Sequence, residues 1–240
     1  MLVNGTDISV FHSTLLTKDI QTAEVTIFDD WLRQSLSPLY LGKQEKFKAI
    51  KLEFLIEDTS DYNCLTDIGN LIVQLEKCTL KFDDLAFYYN ATIANKDHAS
   101  LIQDGSYIAE SPDNFAYTQN VELKAQYAYL PTVTITLTGT SQTITVQGNL
   151  QTAVIVTLTP TINIASATLT GFGKSITISN LHANIPVIID GEQGLVTENG
   201  VNKFGDTDMW GFPTLQPSSN AVSISQSGIA VKIQYKPKFM

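Results

Sequence analysis

Catalysis or ligand capture in this chain would need a phosphate loop, a metal cluster, a nucleophile with its base, paired carboxylates or an aromatic platform. The string Gly171-Phe172-Gly173-Lys174-Ser175 ends as a phosphate-binding loop ends. Such a loop also needs glycine where Thr168 stands, and a helix after Ser175 whose N–H groups face the anion. A strand-like run follows instead, so the string reads as a β-turn carrying a surface lysine. His12, His98 and His182 have no second His or Cys at metal-ligand spacing, and no serine occupies a nucleophile elbow. They read as surface or hydrogen-bonded histidines. Asp29-Asp30, Asp83-Asp84 and Asp206 with Asp208 complete no EF-hand loop. Asp206 and Asp208, beside Trp210, are the best metal candidates, yet their ligand set is incomplete; no metal and no cofactor is expected. No glycosidase pair is marked. Trp210 and Phe212 suit stacking on a sugar, but the favoured expectation is that they plug the end of a β-sandwich or line a subunit interface. The chain is therefore expected to be no enzyme, with Trp210 and Phe212 its only binding or interface candidates.

The elements that position these residues come from a chain of 240 residues, enough for one large or two ordinary domains. Only 16% of residues are charged, below the ~25% usual for soluble domains, so Thr, Ser, Asn and Gln must cover much of the surface. The net charge of −9 is lopsided. Residues 1–130 carry 10 Lys/Arg against 19 Asp/Glu, and residues 131–240 carry 5 of each. An acidic first half repels a phosphate backbone and argues against nucleic-acid binding by counterion release. Cys64 and Cys78, if on one helix, would lie ~21 Å apart at 1.5 Å per residue, beyond disulfide reach. Free thiols suit a reducing cytosol. The start, MLVNGTDISV, has neither the basic nor the apolar region of a signal peptide, and no apolar run approaches the ~20 residues of a membrane span. The sequons at Asn4 and Asn90 are read as chance.

Alternation and turn dipeptides set the order of elements. Asn4-Gly5 predicts a small turn or hairpin, and Ala23, Val25 and Ile27 predict a strand. Asp29 to Leu36 is read as a short helical turn before Pro38, with Trp31, Leu36, Leu39 and Tyr40 assigned to a satellite core in preference to a subunit contact. Ile50, Leu52, Phe54 and Ile56 alternate with Lys51, Glu53 and Glu57, a strand with one apolar face. One helix follows, about Asp61 to Lys77, with Leu65, Ile68, Ile72 and Leu75 on one stripe and Ser60 or Asp61 as its cap. A hairpin turns at Asp83-Asp84, and residues 95–114 are read mostly as loop. Phe115 to Tyr129 alternate as one long strand, which must bend, bulge or bridge two sheets. Pro131 marks a boundary between domains 1–130 and 131–240. Beyond it lie many short strands at regular spacing, the pattern of a sandwich or jelly roll.

The stretch Ile185–Asn220 is the most informative. Ile189-Asp190-Gly191 ends a strand at residues that tolerate positive φ, and Asn199-Gly200 is a two-residue hairpin signal. Phe212-Pro213-Thr214-Leu215-Gln216-Pro217, then Asn220, lead to two more strands and a basic-aromatic end, Lys232 to Phe239. This order resembles the C-terminal half of the distal tail proteins (Dit) of long-tailed siphophages, with Ser218 where that family's pattern has Gly. The resemblance implies a mainly β fold: an N-terminal α+β ring-forming domain with one helix, then a galectin-like jelly-roll β-sandwich.

The same resemblance implies a structural virion protein at the tail tip or baseplate, made in the host bacterial cytoplasm. It would form a homo-oligomeric ring, a hexamer, between the tail tube protein and the tail hub or tail-associated protein, and anchor receptor-binding or accessory baseplate proteins. Phage DNA would pass through its lumen without specific binding, and no membrane insertion is expected. The acidic first half would suit that lumen. The alternative is a carbohydrate-binding adhesin or accessory module of a phage tail, using exposed aromatics of the second domain.

Overall fold

The computed structural model describes residues 1–33, 35–97, 100–101 and 115–240. Two compact units emerge, Met1–Ala128 with Met240, and Tyr129–Phe239.

The first unit opens with β1 (Leu2–Val3) and β2 (Thr6–Asp7), joined by Asn4 at φ 53° and Gly5 at φ 82°. Two successive positive φ angles give the turn whose twist matches a tight hairpin. A 3-10 turn over Ile8–Phe11 follows, capped by Asp7, whose side chain accepts from the Ser9 N–H. Next come β3 (Ser13–Ile20), β4 (Val25–Asp30), β5 (Leu39–Glu45), β6 (Lys48–Asp58), α1 (Asp61–Leu75), β7 (Lys77–Lys81), β8 (Tyr88–Lys96), β9 (Ser100–Leu101) and β10 (Phe115–Tyr129). The main sheet runs β2-β1-β7-β8-β10-β6-β3, with β9 also on β10. β10 pairs with β6 without interruption from Phe115 opposite Asp58 to Ala125 opposite Lys48. Ile50, Leu52, Phe54 and Ile56 are buried as their alternation requires, and Leu55 from the other face is buried too.

Helix α1 starts where Ser60 accepts from the Asn63 N–H at 3.2 Å, a side-chain N-cap. It ends at Leu75, not at Lys77, which already begins β7. Its buried side is Cys64, Ile68, Leu71, Ile72 and Leu75. Leu65, assigned to the buried stripe from its spacing, is exposed. Cys64 and Leu71 take that face, because three- and four-residue spacing fixes neighbours on a helix and leaves open which side meets the sheet.

A larger correction concerns residues 25–45. No helix is formed by the described residues between Asp29 and Leu36: Asp29 and Asp30 finish β4, and a single turn follows in which the Ser35 N–H donates to the Leu32 carbonyl at 2.9 Å. β4 and β5 form a two-stranded sheet of their own, running from Val25 opposite Glu45 to Asp30 opposite Leu39 with an irregularity after Phe28. Trp31, Leu36, Leu39 and Tyr40 are exposed and belong to no core. Apolar residues here sit in a hairpin that pairs with no other strand among the described residues. Of the expected 95–114 loop, Asn95 and Lys96 instead finish β8 and Ser100–Leu101 form β9, while Gly105 and Pro112 lie outside the described residues.

The second unit comprises β11 (Val133–Thr136), β12 (Ser141–Val146), β13 (Thr152–Pro160), β14 (Ile164–Thr170), β15 (Ile176–Leu181), β16 (Val187–Asp190), β17 (Leu195–Glu198), β18 (Val201–Asn202), β19 (Thr207–Met209), β20 (Thr214–Leu215), β21 (Ser218–Ile224), β22 (Ile229–Tyr235) and β23 (Lys238–Phe239). One sheet has the order β11-β22-β13-β16-β17-β18, with β20 on β13; the other has β12-β21-β14-β15-β19. Alternate residues of both sheets form one core. Val154, Val156, Val187 and Val231 come from the first, and Ile144, Leu169, Ile176 and Val222 from the second. Two sheets sharing one core make a β-sandwich. Ile162 lies before β14 in a bend and is exposed.

Candidate functional site

Four places could carry function: the loops at Trp210–Asn220, a charged recess at the β17–β18 hairpin, a His–Asp cluster on the first unit, and the β4–β5 arm. They are taken from the residues upward.

The Asp190 carboxylate accepts from the Glu192 and Gln193 N–H groups at 2.8 and 2.9 Å, which folds the β16–β17 turn back on itself. The positive φ expected at Asp190-Gly191 falls on Gly194 instead, at 70°. Gly191 is needed for another reason: a Cβ there would lie 2.5 Å from the Pro213 carbonyl and 2.7 Å from that of Val154. The Asn199-Gly200 signal gives the expected two-residue hairpin, with φ 50° and 77° between Glu198 and Val201. The next stretch is tied down by backbone bonds. Val154 N–H donates to Pro213 and Thr214 N–H to Phe172. Asn220 then bridges the Gln216 backbone, accepting from its N–H at 3.0 Å and donating to its carbonyl at 2.8 Å. Ser218 adopts φ 81°, the left-handed conformation glycine takes freely. The motif is architectural: it locks loops across the sandwich and presents no reactive group.

The two aromatic candidates part company. Phe212 is half-buried against the sandwich core, and its ring lies 6.1 Å from that of Phe204. Trp210 leaves the end of β19 and is 92% exposed. Gly171 and Gly173 turn the chain between β14 and β15 at φ 85° and 90°, as the β-turn reading of the phosphate-like string requires.

At the β17–β18 hairpin a recess of about 330 Å³ is lined by His182, Glu198, Asn202, Lys203 and Asp206. Lys203 is buried and uses all three ammonium hydrogens, on the Asn180 carbonyl at 2.9 Å, Glu198 at 2.9 Å and Asp206 at 3.0 Å. Burial alone would lower its pKa, but these two carboxylates outweigh that and raise it. Burial would likewise raise that of Glu198, yet hydrogen bonds from His182 and Lys203 hold it below the usual range. The charges satisfy one another and leave Lys203 no donor for a ligand. Asp206 is thus committed to Lys203, whereas Asp208 lies on β19 opposite Thr177, exposed. The Asp206/Asp208 pair does not converge on a metal position. The turn after Asn199-Gly200 that delivers Lys203 was legible in the sequence; the ion cluster it completes was not.

On the first unit, His12 Nδ1 lies 2.8 Å from Asp67 Oδ2 and 3.3 Å from Asp58 Oδ2. Asp58 is held by the Thr59 N–H, the Thr59 hydroxyl and the Asn63 amide, all on Oδ1, which leaves Oδ2 facing the ring. The bond to Asp67 raises the His12 pKa, and the Asn63 bond lowers that of Asp58. This is the one group among the described residues whose donor atoms could share a divalent cation. As built, it is a proton-linked clamp joining the end of the Ile8–Phe11 turn to β6 and α1. His98 lies outside the described residues. Cys64 and Cys78 are buried free thiols, with Cys78 pushed up to about 12 by burial.

The arm gathers many of the exposed large apolar side chains among the described residues of the first unit. Ile27 and Phe28 are adjacent in β4, so apolar groups face both sides of the hairpin. Trp31 is 62% exposed, and Arg33, the only arginine of the sequence, follows two residues later. Lys46 N–H to the Glu24 carbonyl at 2.8 Å, and its ammonium to the Glu24 carboxylate at 2.8 Å, close the arm at its base.

Residues 147–239 match the family described as siphovirus-type tail component, C-terminal domain. No curated protein matches the chain. Among solved structures, the Dit protein of phage SPP1, described as a hub of the adsorption apparatus of phages infecting Gram-positive hosts, shares the fold. It aligns with a TM-score of 0.75 at 12% identity over 100% of this chain and 98% of that one. A chain of the phage p2 baseplate in its calcium-activated conformation aligns at 0.52 and 9% identity over 97% and 92%. The strontium form gives 0.51 and 10% over 95% and 92%. The resemblance drawn from Ile185–Asn220 therefore stands on the segment that carries the family match, and the mainly β, one-helix fold is that of the SPP1 protein along its whole length.

Proposed function

We propose that this chain is a distal tail protein: a non-catalytic virion component that forms a ring, a hexamer, between the tail tube and the tail hub. The observation that carries the reading is the family match over residues 147–239, within a chain that has the Dit fold from end to end. Residues 1–130 would form the ring and residues 131–240 a galectin-like outer domain that anchors receptor-binding or accessory baseplate proteins. The arm supports assembly, because a two-stranded hairpin with apolar side chains on both faces is marginal in water until something covers it. The excess of 19 Asp/Glu over 10 Lys/Arg in residues 1–130 would keep DNA from adhering to the lumen. Buried free thiols suit synthesis in the host cytoplasm before incorporation into the virion.

Light scattering on a sizing column across a range of protein concentrations, with negative-stain images of the largest species, tests the ring. A six-fold particle with a central hole is expected; a chain that remains monomeric both alone and in tail-tip preparations would sink it. A second reading, sugar binding by the outer domain, is favoured by one feature: Trp210 stands free at a loop tip. A glycan array comparing the intact protein with Trp210→Ala would show signal lost with the ring; no signal from either retires this reading.

A further inference from the structure

We propose that the outer face of α1, centred on Gly69, receives the β4–β5 arm of a second copy of this chain. The inference rests on the oligomeric reading above and deepens it, because it names both halves of one contact.

The helix supplies the receiving half. Tyr62, Leu65 and Val73 are exposed, at 78%, 49% and 61%. With Gly69 they are spaced by three, four and four residues, which places them along one line of the helix surface. A glycine inside a helix is unfavourable relative to alanine. Gly69 has no positive φ, and a Cβ there would meet nothing within 4 Å. Packing inside the chain therefore does not require it. Flanked by Leu65 and Val73, four residues away on either side, it leaves a notch in an apolar ridge where a large side chain from outside can reach the helix backbone.

The arm supplies the inserted half. Phe28, Trp31 and Tyr40 of the arm, and Phe47 just past its base, are each about half exposed or more. At about 150–250 Å² per aromatic side chain, these four alone offer roughly 400 Å² still to be buried. Six exposed aliphatic residues of the arm bring the total to the order of the ~800 Å² that each partner of a stable complex contributes. Trp31, Arg33 and Tyr40 are the residue types that dominate binding energy at interface centres. The arm is itself mixed in charge, with Glu24, Asp29, Asp30 and Glu45 beside Arg33, Lys43 and Lys46, so it is the exposed apolar area that argues for an occupant the size of a second copy. The two unfilled surfaces are unlike each other and lie on one unit. Unlike patches give head-to-tail contacts, which close into rings when the rotation allows.

The test replaces Trp31 with the photo-crosslinker p-benzoylphenylalanine in the full chain, mixed with isotopically labelled wild-type protein. Expected are intermolecular cross-links that map to residues 61–75. Cross-links that map elsewhere in an intact oligomer overturn this inference and leave the ring standing; a chain monomeric at every concentration overturns both. Two variants give an independent readout. Trp31→Glu removes the arm and leaves the helix face, and Gly69→Leu does the reverse. Each should lose assembly at least tenfold with no fall in the monomer's Tm, and their mixture should give 1:1 dimers that grow no further. A mixture that stays monomeric, or single variants that still assemble, would refute the contact. Gly69→Ala should raise the monomer's Tm yet weaken assembly, opposite signs that a purely structural glycine would not produce.

Discussion

His12 Nδ1 and Asp67 Oδ2 stand 2.8 Å apart although 55 residues separate them in the chain. Asp58, whose Oδ1 is occupied by Thr59 and Asn63, faces the same ring nitrogen at 3.3 Å. The hydrogen bond to Asp67 favours the protonated imidazole and raises the His12 pKa. The folded state therefore holds this proton more tightly than the unfolded chain does. The resulting stability is fully present below the ordinary histidine value of 6.5 and is lost as pH rises through the higher folded value. Urea midpoints measured from pH 6 to 9 should fall across that window in the wild type, and His12→Gln should flatten the decline. An unchanged slope would show that the clamp does not titrate.

Ser218 and Asn220 hold the loop after Pro217 by opposite means. A φ of 81° strains any residue with a Cβ, at about 1–2 kcal/mol. Ser218→Gly should stabilise the protein by about 0.5–1 kcal/mol once glycine's extra unfolded-state entropy is subtracted. Asn220 makes three side-chain bonds to the Gln216 and Ser218 backbones and is buried. Asn220→Ala should cost about 2 kcal/mol, since it strands those groups away from water. Thermal melts of both variants decide the matter; a destabilised glycine variant would contradict the strain.

Gly191 and Gly69 make a paired test of why a glycine is present. A Cβ at Gly191 would press on two backbone carbonyls at 2.5 and 2.7 Å, and backbone cannot step aside as a side-chain tip can. Gly191→Ala should cost about 3 kcal/mol. At Gly69 the space is open, so Gly69→Ala should gain about 0.5–1 kcal/mol in the monomer. Chemical denaturation under monomeric conditions compares the two directly.

Lys203 is the one charged side chain buried in the second unit, and Glu198 and Asp206 depend on it. Lys203→Met removes the cation and leaves the Glu198 carboxylate nearly enclosed without it. The expected loss is about 2–4 kcal/mol, at the lower end because Asp206 is partly solvated. Glu198 and Asp206 both have lowered pKa values, so the stability they contribute is present above their unfolded values of 4.5 and 3.8 and disappears as pH falls through the folded ones. Acid titration of the wild type should therefore show a loss that Lys203→Met lacks.

The sequence by itself determined what depends on near neighbours. Period-two alternation set β6 and β10, Ser60 set the start of α1, and Asn4-Gly5 and Asn199-Gly200 set two hairpins. Each rests on dihedral preference or on side-chain spacing within a few residues. The order of features from Ile189 to Asn220 was likewise enough to point to the family that residues 147–239 match. Only the tertiary structure decided which apolar residues find cover. Leu65 lost its place to Cys64 and Leu71, and Trp31, Leu36, Leu39 and Tyr40 stand in solvent on an arm, because burial depends on what lies across from a residue and not on its own hydrophobicity. The same holds for chemistry at a distance. His12 meets Asp58 and Asp67 because β3 pairs with β6 and α1 follows directly, and Lys203 meets Asn180 and Glu198 because β17 and β18 turn it inward. Such pairs are fixed by strand register and helix docking, which no local spacing encodes.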